Sequence, residues 1–339
     1  MTLFESFANR AGVRSRSSDA IERLCLDIGS HTTKLLLNGK TVRRYPTCFL
    51  RHVHTNSVVS VGSQVRKMLG KLPTDVVPVF PLRGGQVVDS EGLTQFIKVL
   101  LQDYNPGGLS SFFRPPQIEC ALLYPQLDMQ RTAIGKAVRQ ISYKVKFQPV
   151  SVALWQFVKA KNISTGQGCV IDIGAMTTKV YLFAENALAG SRVIEFGGDD
   201  WTTEVIQALR QDSHIEVGWT TAEELKVAAV HFGGKEHKHT VQGKDIVTGL
   251  PVTKVVNDQI FRAGSDKLFL RLIDLFEEVF QESTPELVAK ILERGVYLTG
   301  GVSQLKGLAA MLQDTLKLPV TVAKYPDEDI VRGLAYKEE

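Results

Sequence analysis

The sequence predicts an α/β fold made of two related halves, and three observations predict it. An apolar run ending in Asp-Ile-Gly occurs twice, as LDIGSHTTK (26–34) and IDIGAMTTK (171–179). Strand-like runs alternate with stretches of helical period along the whole chain. The two phrases lie 145 residues apart (172 − 27), far beyond the period of a solenoid repeat, so the echo marks halves and not a stack of units.

Each element follows from local pattern. RLCLDIG (23–29) is a buried strand closed by a turn, and KLLLNGKTVRRYP (34–46) is a hairpin with Asn38-Gly39 at its tip. From Asp89 to Tyr104, Leu93, Phe96, Ile97, Leu100 and Leu101 form one helical stripe, which Ser90 can cap. QIECALLYP (117–125) is a second buried strand, and MQRTAIGKAVRQI (129–141) a helix with Ile134, Ala137, Val138 and Ile141 on one face. Cys169–Ile173 and TKVYLF (178–183) open the second copy as strand, turn, strand. Trp201–Leu209, Ala222–Ala229 and Ser265–Gln281 read as helices. Thr284-Pro285 starts another helix that Gly295 ends. VYLTGG (296–301) is a strand, and SQLKGLAAMLQDTL (303–316) a helix.

Bulk properties narrow the function. A chain of 339 residues has room for about two domains. Net charge is +4, with 44% hydrophobic and 22% charged residues. That is too weakly basic to argue for nucleic acid, although it leaves an anionic membrane surface open. Cys25, Cys48, Cys120 and Cys169 form no CxxC or CxxH spacing and fit a reducing cytoplasm. No apolar run is long enough for a transmembrane helix. His231, His237 and His239 sit in a Gly- and Lys-rich stretch that reads as a solvated loop. Trp155, Trp201 and Trp219 read as packing residues.

The repeated turn has a chemistry. A strand delivers Asp27 or Asp172 to its end, and the glycine that follows lets backbone approach an anion. Ser30, Thr32, Thr33, Thr177 and Thr178 can donate to phosphate oxygens. The two carboxylates would hold a hydrated Mg²⁺. One such turn is commonly only a turn; two of them opening two similar halves suggest loops that grip one polyphosphate from both sides. A third stretch, YLTGGVSQLKGL (297–308), offers Gly300-Gly301 for close approach to a base or ribose.

These three stretches, in this order, resemble the actin-type ATPase superfamily of actin, sugar kinases, heat-shock chaperones and bacterial actins. Within it the chain is most similar to the MreB family of bacterial cell-shape actins, from about Leu24 to about Ala335. The segments 59–89, TAEELKVA (221–228), GKDIVTGLP (243–251) and TPELVAKILERGVYLTGG (284–301) carry that similarity outside the nucleotide loops. The resemblance implies an actin-like, duplicated ribonuclease H-like fold with ATP or ADP and Mg²⁺ in a central cleft. It implies two domains, each with a subdomain: 21–160 with 321–339 returning to it, and 161–320, after an N-terminal segment 1–20. It places Asp27, Gly29, Ser30, His31, Thr32, Thr33 and Lys34 on the first phosphate loop, and Asp172, Gly174, Thr177 and Thr178 on the second. It sets Glu223, Lys226, Gly300, Gly301 and Val302 against the adenosine, and Gln148 beside the attacking water.

Three departures bear on turnover. Gln148-Pro149 stands where MreB carries Glu-Pro, and a neutral amide orients water without taking its proton well. Ala175-Met176 replaces Gly-Gly after the second Asp-Ile-Gly, where a positive φ would strain Met and its side chain would crowd a γ-phosphate. Val302 replaces a third glycine. The expectation is nucleotide binding with slow hydrolysis.

Two apolar features point to a membrane. Leu3, Phe4 and Phe7 share a helical face in a segment rich in Arg. Leu109, Phe112 and Phe113 lie beside Arg114 in the loop GGLSSFFRPP (107–116), where MreB proteins carry an insertion loop. The combined expectation is a homopolymer on the inner face of the cytoplasmic membrane, organising cell shape and wall synthesis with cell-wall or division proteins as partners. A non-polymerising adaptor of the FtsA or PilM type and a sugar or acetate kinase remain open as alternatives.

Overall fold

The computed structural model describes residues 23–62, 65, 68, 72–102, 104, 117–123, 128–140, 144–163 and 166–336. Leu3, Phe4, Phe7, Leu109, Phe112 and Phe113 lie outside the described residues.

The chain begins with strands β1 (Arg23–Ile28), β2 (Thr32–Leu37) and β3 (Thr41–Pro46). At the β2–β3 tip Asn38 has φ 48° and Gly39 φ 70°, as a two-residue hairpin that follows strand twist requires. A small sheet follows from β4 (Phe49–His52), β5 (Val58–Val61) and β6 (Val76–Val79), then the short hairpin β7 (Leu82–Arg83) and β8 (Gln86–Val87). Next come α1 (Ser90–Gln102), β9 (Gln117–Leu122), α2 (Asp128–Gln140), β10 (Lys144–Pro149) and α3 (Val150–Ala160). The second copy runs β11 (Gly168–Ile173), β12 (Thr178–Ala184), β13 (Ala187–Ile194) and α4 (Gly198–Asp212). After it come β14 (Ile215–Glu216), α5 (Trp219–Ala229), β15 (Lys238–Asp245), β16 (Pro251–Asn257), α6 (Arg262–Gln281) and α7 (Pro285–Arg294). The chain closes with β17 (Val296–Thr299), α8 (Leu308–Leu316), β18 (Val320–Val322) and α9 (Asp329–Gly333).

Local chemistry explains the boundaries. The Thr284 hydroxyl accepts from Leu287 N, Pro285 occupies the first turn of α7, and Gly295 stops the helix at φ 87°. The single helix predicted over 303–316 is corrected. Residues Gly301–Gln304 form a 3₁₀ turn and α8 begins only at Leu308, because Gly307 adopts a left-handed φ of 80°. The halves share one topology. The first large sheet is ordered β10-β9-β1-β2-β3 and the second β13-β12-β11-β17-β18. In each, the opening strand pairs antiparallel with the next and parallel with a later one. Residue 321, where a return to the first half was expected, lies within β18 of the second sheet.

Strand alternation places the site. In β1, Leu24, Leu26 and Ile28 enter a core shared with α1 and α2, whereas Cys25 points the other way. In β11, Cys169, Ile171 and Ile173 enter a core with α4, α6, α7 and α8, whereas Val170 points the other way. Cys25 and Val170 belong to one cluster between the sheets, filled by Ala153, Leu154, Trp155 and Val158 of α3 and by Val331 of α9. Trp155 stacks on Phe183 at 4.2 Å. Helices α3 and α9 cross so tightly that a Cβ on Gly333 would lie 1.9 Å from Ala153 O. Period two therefore turns Asp27 and Asp172 toward the shared space between the sheets, with α3 and α9 closing its floor.

All four cysteines are buried. Burial pushes the Cys25 thiol up to about 12 and raises Cys120 and Cys169 as well, so they behave as small apolar residues. Among the described residues no helix is long and apolar enough to cross a membrane.

Candidate functional site: two facing turns

The two turns are built alike. Gly29 N donates to Thr32 O at 3.2 Å, and Gly174 N donates to Thr177 O at 2.8 Å. A Cβ on Gly29 would stand 2.9 Å from Thr32 O, so the glycine is there for close approach. Strand register then sets a lysine directly opposite each aspartate: Asp27 faces Lys34 and Asp172 faces Lys179. Both pairs are ion pairs. Lys34 Nζ lies 3.2 Å from Asp27 Oδ2, and Lys179 Nζ lies 2.8 Å from Asp172 Oδ2. Lys179 is the residue that sequence reasoning missed, although the repeated phrase places it in the register of Lys34.

Alternation sorts the hydroxyls. Thr33 is fully buried, and its Oγ1 is 2.9 Å from Thr47 Oγ1. Thr178 is fully buried, and its hydroxyl donates to Phe196 O at 2.8 Å. Both were expected to donate to phosphate; both face the interior instead, because they sit one residue out of phase with Lys34 and Lys179. Ser30 accepts from Gly85 N at 3.2 Å and so anchors the β7–β8 hairpin. Thr32 and Thr177 keep the phase of the lysines.

The altered second turn is unstrained. Neither Ala175 nor Met176 has a positive φ, which corrects the expectation that Met would pay a backbone penalty there. The loop is clamped from outside: Gly174 O and Ala175 O accept from Gly198 N and Asp199 N, the first amides of α4, at 3.0 and 2.8 Å. Gly197 is required for this approach, since a Cβ there would lie 2.6 Å from Gly174 O.

The first turn reaches across to the second half. His31 Nε2 is 3.1 Å from Asp199 Oδ2, and its ring meets Trp219 edge-on at 6.5 Å. Trp219 is 43% exposed, so it stands at the rim of the site and is not the packing residue expected. Gln86 Nε2 donates to Glu195 Oε1 at 3.4 Å, a second contact between the halves.

Glu223, Lys226, Gly300 and Val302 converge beside the second turn. Lys226 Nζ lies 2.7 Å from Glu223 Oε2 and donates to Gly198 O at 3.1 Å. Glu223 also accepts from the Thr202 hydroxyl at 2.6 Å. Burial raises the Glu223 carboxyl, but Lys226, Thr202 and His31 outweigh it and hold the carboxyl below its ordinary range. Val302 is buried, with Cγ2 3.1 Å from where a Gly198 Cβ would stand. Gly300, at φ 86°, presses on Asp172: an added Cβ would lie 2.4 Å from Asp172 Oδ1. Gly301 opens onto free space.

Gln148 shares a row with Asp27, since Asp27 is in register with Ala121 and Ala121 with Gln148. Its Nε2 donates to Glu119 Oε2 at 3.3 Å, and Arg23 holds Glu119 at 2.7 Å. Its Oε1 is buried with no partner. A fixed amide with a free carbonyl oxygen can orient a water molecule but has no means to accept its proton.

In the second sheet the matching row is Lys179, Asp172, Thr299. Thr299 donates to Asp329 Oδ2 at 2.7 Å, and Tyr297 OH donates to it at 2.9 Å. Burial pushes the Asp329 carboxyl up to about 6; those two hydrogen bonds oppose the shift, and Asp172 and Asp327 add to it.

The histidine stretch is exposed from Gly233 to Lys238, His237 included, as a solvated loop is, while His231 and His239 at its flanks are half-buried against a carboxylate. Asp258, 4% exposed, accepts from His237 N at 2.9 Å and lies 3.2 and 3.5 Å from Nε2 of His231 and His239. Among the described residues no group of His, Cys, Asp and Glu is arranged to hold a metal.

The Mg²⁺ expectation meets a donor set already neutralised. Each carboxylate offered to the ion is held by a lysine, and Asp172 Oδ1 is pressed on Gly300. As they stand, these residues do not fit a hydrated divalent ion.

Two sheets of one topology with paired turns between them define an actin-like protein. MreB 5 of Spiroplasma citri, solved with AMPPNP, superposes with a TM-score of 0.82 at 21% identity, over 92% of this chain and 94% of that one. The MamK double helical filament superposes with a TM-score of 0.76 at 17% identity, over 94% and 100%. Residues 21–339 match the MreB/Mbl protein family, and the chain belongs to that family. It is 27% identical over 318 residues to the cell shape-determining protein Mbl of Bacillus subtilis, covering 91% of this chain and 93% of Mbl. It is 25% identical over 325 residues to MreB of Escherichia coli K12, covering 91% of each.

Proposed function

We propose that this bacterial actin binds ATP or ADP between the two turns and assembles into filaments on the inner face of the cytoplasmic membrane, where they organise cell shape and wall synthesis. The observation that carries the reading is the pair of turns with one geometry, set facing by strand alternation, each bearing an outward Thr and a Lys. Thr32, Lys34, Thr177 and Lys179 would meet the polyphosphate, and Glu223, Lys226 and Gly300–Val302 would meet the nucleoside. MreB 5 of Spiroplasma citri, solved with AMPPNP and with ADP, and the MamK filament support the same reading by analogy. Mg²⁺ has no assigned place in it, because Asp27 and Asp172 are already paired. Hydrolysis would be slow, with Gln148 Oε1 orienting water and the neutral amide unable to take its proton.

Membrane binding rests on the sequence of two segments, Leu3, Phe4 and Phe7 together with Leu109, Phe112 and Phe113. Two weak anchors on each subunit of a polymer add through multivalency. Electron microscopy of the full chain with ATP and anionic liposomes tests the whole reading. Protofilaments on the lipid are expected, and F112S/F113S should leave filaments that no longer sediment with liposomes. Monomers under every nucleotide and lipid condition would overturn polymerisation.

A further inference from the structure

Resting on the nucleotide reading above, we propose that Lys179 takes the place of a divalent cation at the second turn, so that a nucleoside di- or triphosphate binds this cleft without magnesium. The inference starts from register. Asp172 and Lys179 are directly opposed on β11 and β12, so the ammonium is delivered to the carboxylate by the strands themselves. Their side chains are 4% and 8% exposed, and the 2.8 Å contact is made away from solvent screening.

The ammonium also reaches the turn. Lys179 Nζ stands 3.6 Å from the position a Gly174 Cβ would occupy, within the turn that would hold a phosphate. On the other side of Asp172, Oδ1 lies against the Gly300 backbone. Both carboxylate oxygens therefore have neighbours, and the hydration shell that Mg²⁺ keeps has no free carboxylate to hold it.

Charge points the same way. Two bare aspartates would carry −2 and repel a polyphosphate until a cation bridged them. With Lys34 and Lys179 the four groups sum to zero. Most of the charged groups around them are paired too: Glu223 with Lys226, and Asp327 and Glu328 with Arg44 and Arg332. Asp329, beside Asp172, is held by two hydroxyl donors. A polyphosphate entering this cleft meets ammonium groups from both turns, and each lysine it recruits exchanges one anionic partner for another.

Calorimetric titration of ADP and of ATP into the full chain, in MgCl₂ or in excess EDTA, tests this directly. The dissociation constant should change by less than about threefold between the two buffers. A loss of more than about tenfold in EDTA, roughly 1.4 kcal/mol, would overturn the proposal while leaving nucleotide binding intact. Lys179→Met should bind about tenfold or more weakly in EDTA and recover with Mg²⁺, because Asp172 is then free for the ion. Lys179→Arg should remain indifferent to EDTA. If the methionine variant fails to fold, the native protein in the two buffers decides alone. Absence of binding in both buffers would remove the nucleotide reading and this inference with it.

Discussion

The first turn and the second turn are near copies in backbone and differ in what surrounds them. At the first, Asp27 and Lys34 are 9% and 13% exposed and 3.2 Å apart. His31 and Ser30 reach outward, to Asp199 and to the Gly85 amide. At the second, Asp172 and Lys179 are 4% and 8% exposed and 2.8 Å apart. That turn is pinned by α4 on one side and by Gly300 on the other. The shared strand register sets the same Asp–Lys pairing in both, and the surrounding packing makes one copy a bridge between the halves and the other a sealed seat. The repeated phrase is thus evidence for shared geometry, while its neighbours decide what each copy does.

Removing one lysine at a time should break the comparison most sharply. Lys179→Met leaves Asp172 charged in a site almost closed to water, at a cost of about 3–5 kcal/mol. Lys34→Met leaves Asp27 closer to solvent, and its cost should be about 2 kcal/mol, between the surface and buried ranges. Urea unfolding of both variants against the native protein measures the difference. Equal losses would show that the second turn is no more sealed than the first.

Much of this was legible in the sequence. The α/β class, the duplicated turn, the Asn38-Gly39 hairpin and the Thr284-Pro285 start of α7 follow from short-range chemistry. The outward register of Lys34 and the inward one of Thr33 and Thr178 were also available, since period two from each aspartate separates them. Hydroxyls grouped by residue type hid that separation. The break before Leu308 was not legible, because SQLKGLAAMLQDTL keeps helical spacing through it, whereas Leu305 turns extended and Gly307 left-handed. Nor was the role of Trp219, or the meeting of His231, His237 and His239 with Asp258, which depends on strands that close after the histidines have passed. The membrane residues rest on sequence pattern alone.

A second asymmetry lies in the residue beside each aspartate. In the first sheet Asp27 neighbours Ala121; in the second Asp172 neighbours Thr299, which holds Asp329. Asp329 has its carboxyl raised to about 6 from 3.8, chiefly by burial. A carboxyl that holds its proton more tightly when folded makes the native state bind more protons than the unfolded one, so stability falls as pH rises between these two values. Over that interval the loss is at most roughly 3 kcal/mol. Below it the stabilisation is complete, and above it the curve is flat for this group. Asp329→Asn keeps an acceptor for Thr299 and Tyr297 and should flatten the slope between about pH 4 and 6. An unchanged pH profile of unfolding would mean that Asp329 does not cause it.

The smallest effects should come where the two copies are most alike. Thr33 and Thr178 occupy the same place in each phrase, both fully buried with the hydroxyl bonded inward. Replacing either with Val keeps its shape and leaves one partner short of a hydrogen bond, Thr47 in one case and Phe196 O in the other. Each should cost about 1 kcal/mol, and the two costs should agree within measurement. Neither change should alter ADP affinity, because neither hydroxyl faces the space between the sheets. Thr32→Val and Thr177→Val, one residue earlier and in phase with the lysines, should weaken ADP binding severalfold with little effect on stability. Loss of affinity in the first pair and not the second would reverse the assignment of faces on which the two-turn reading depends.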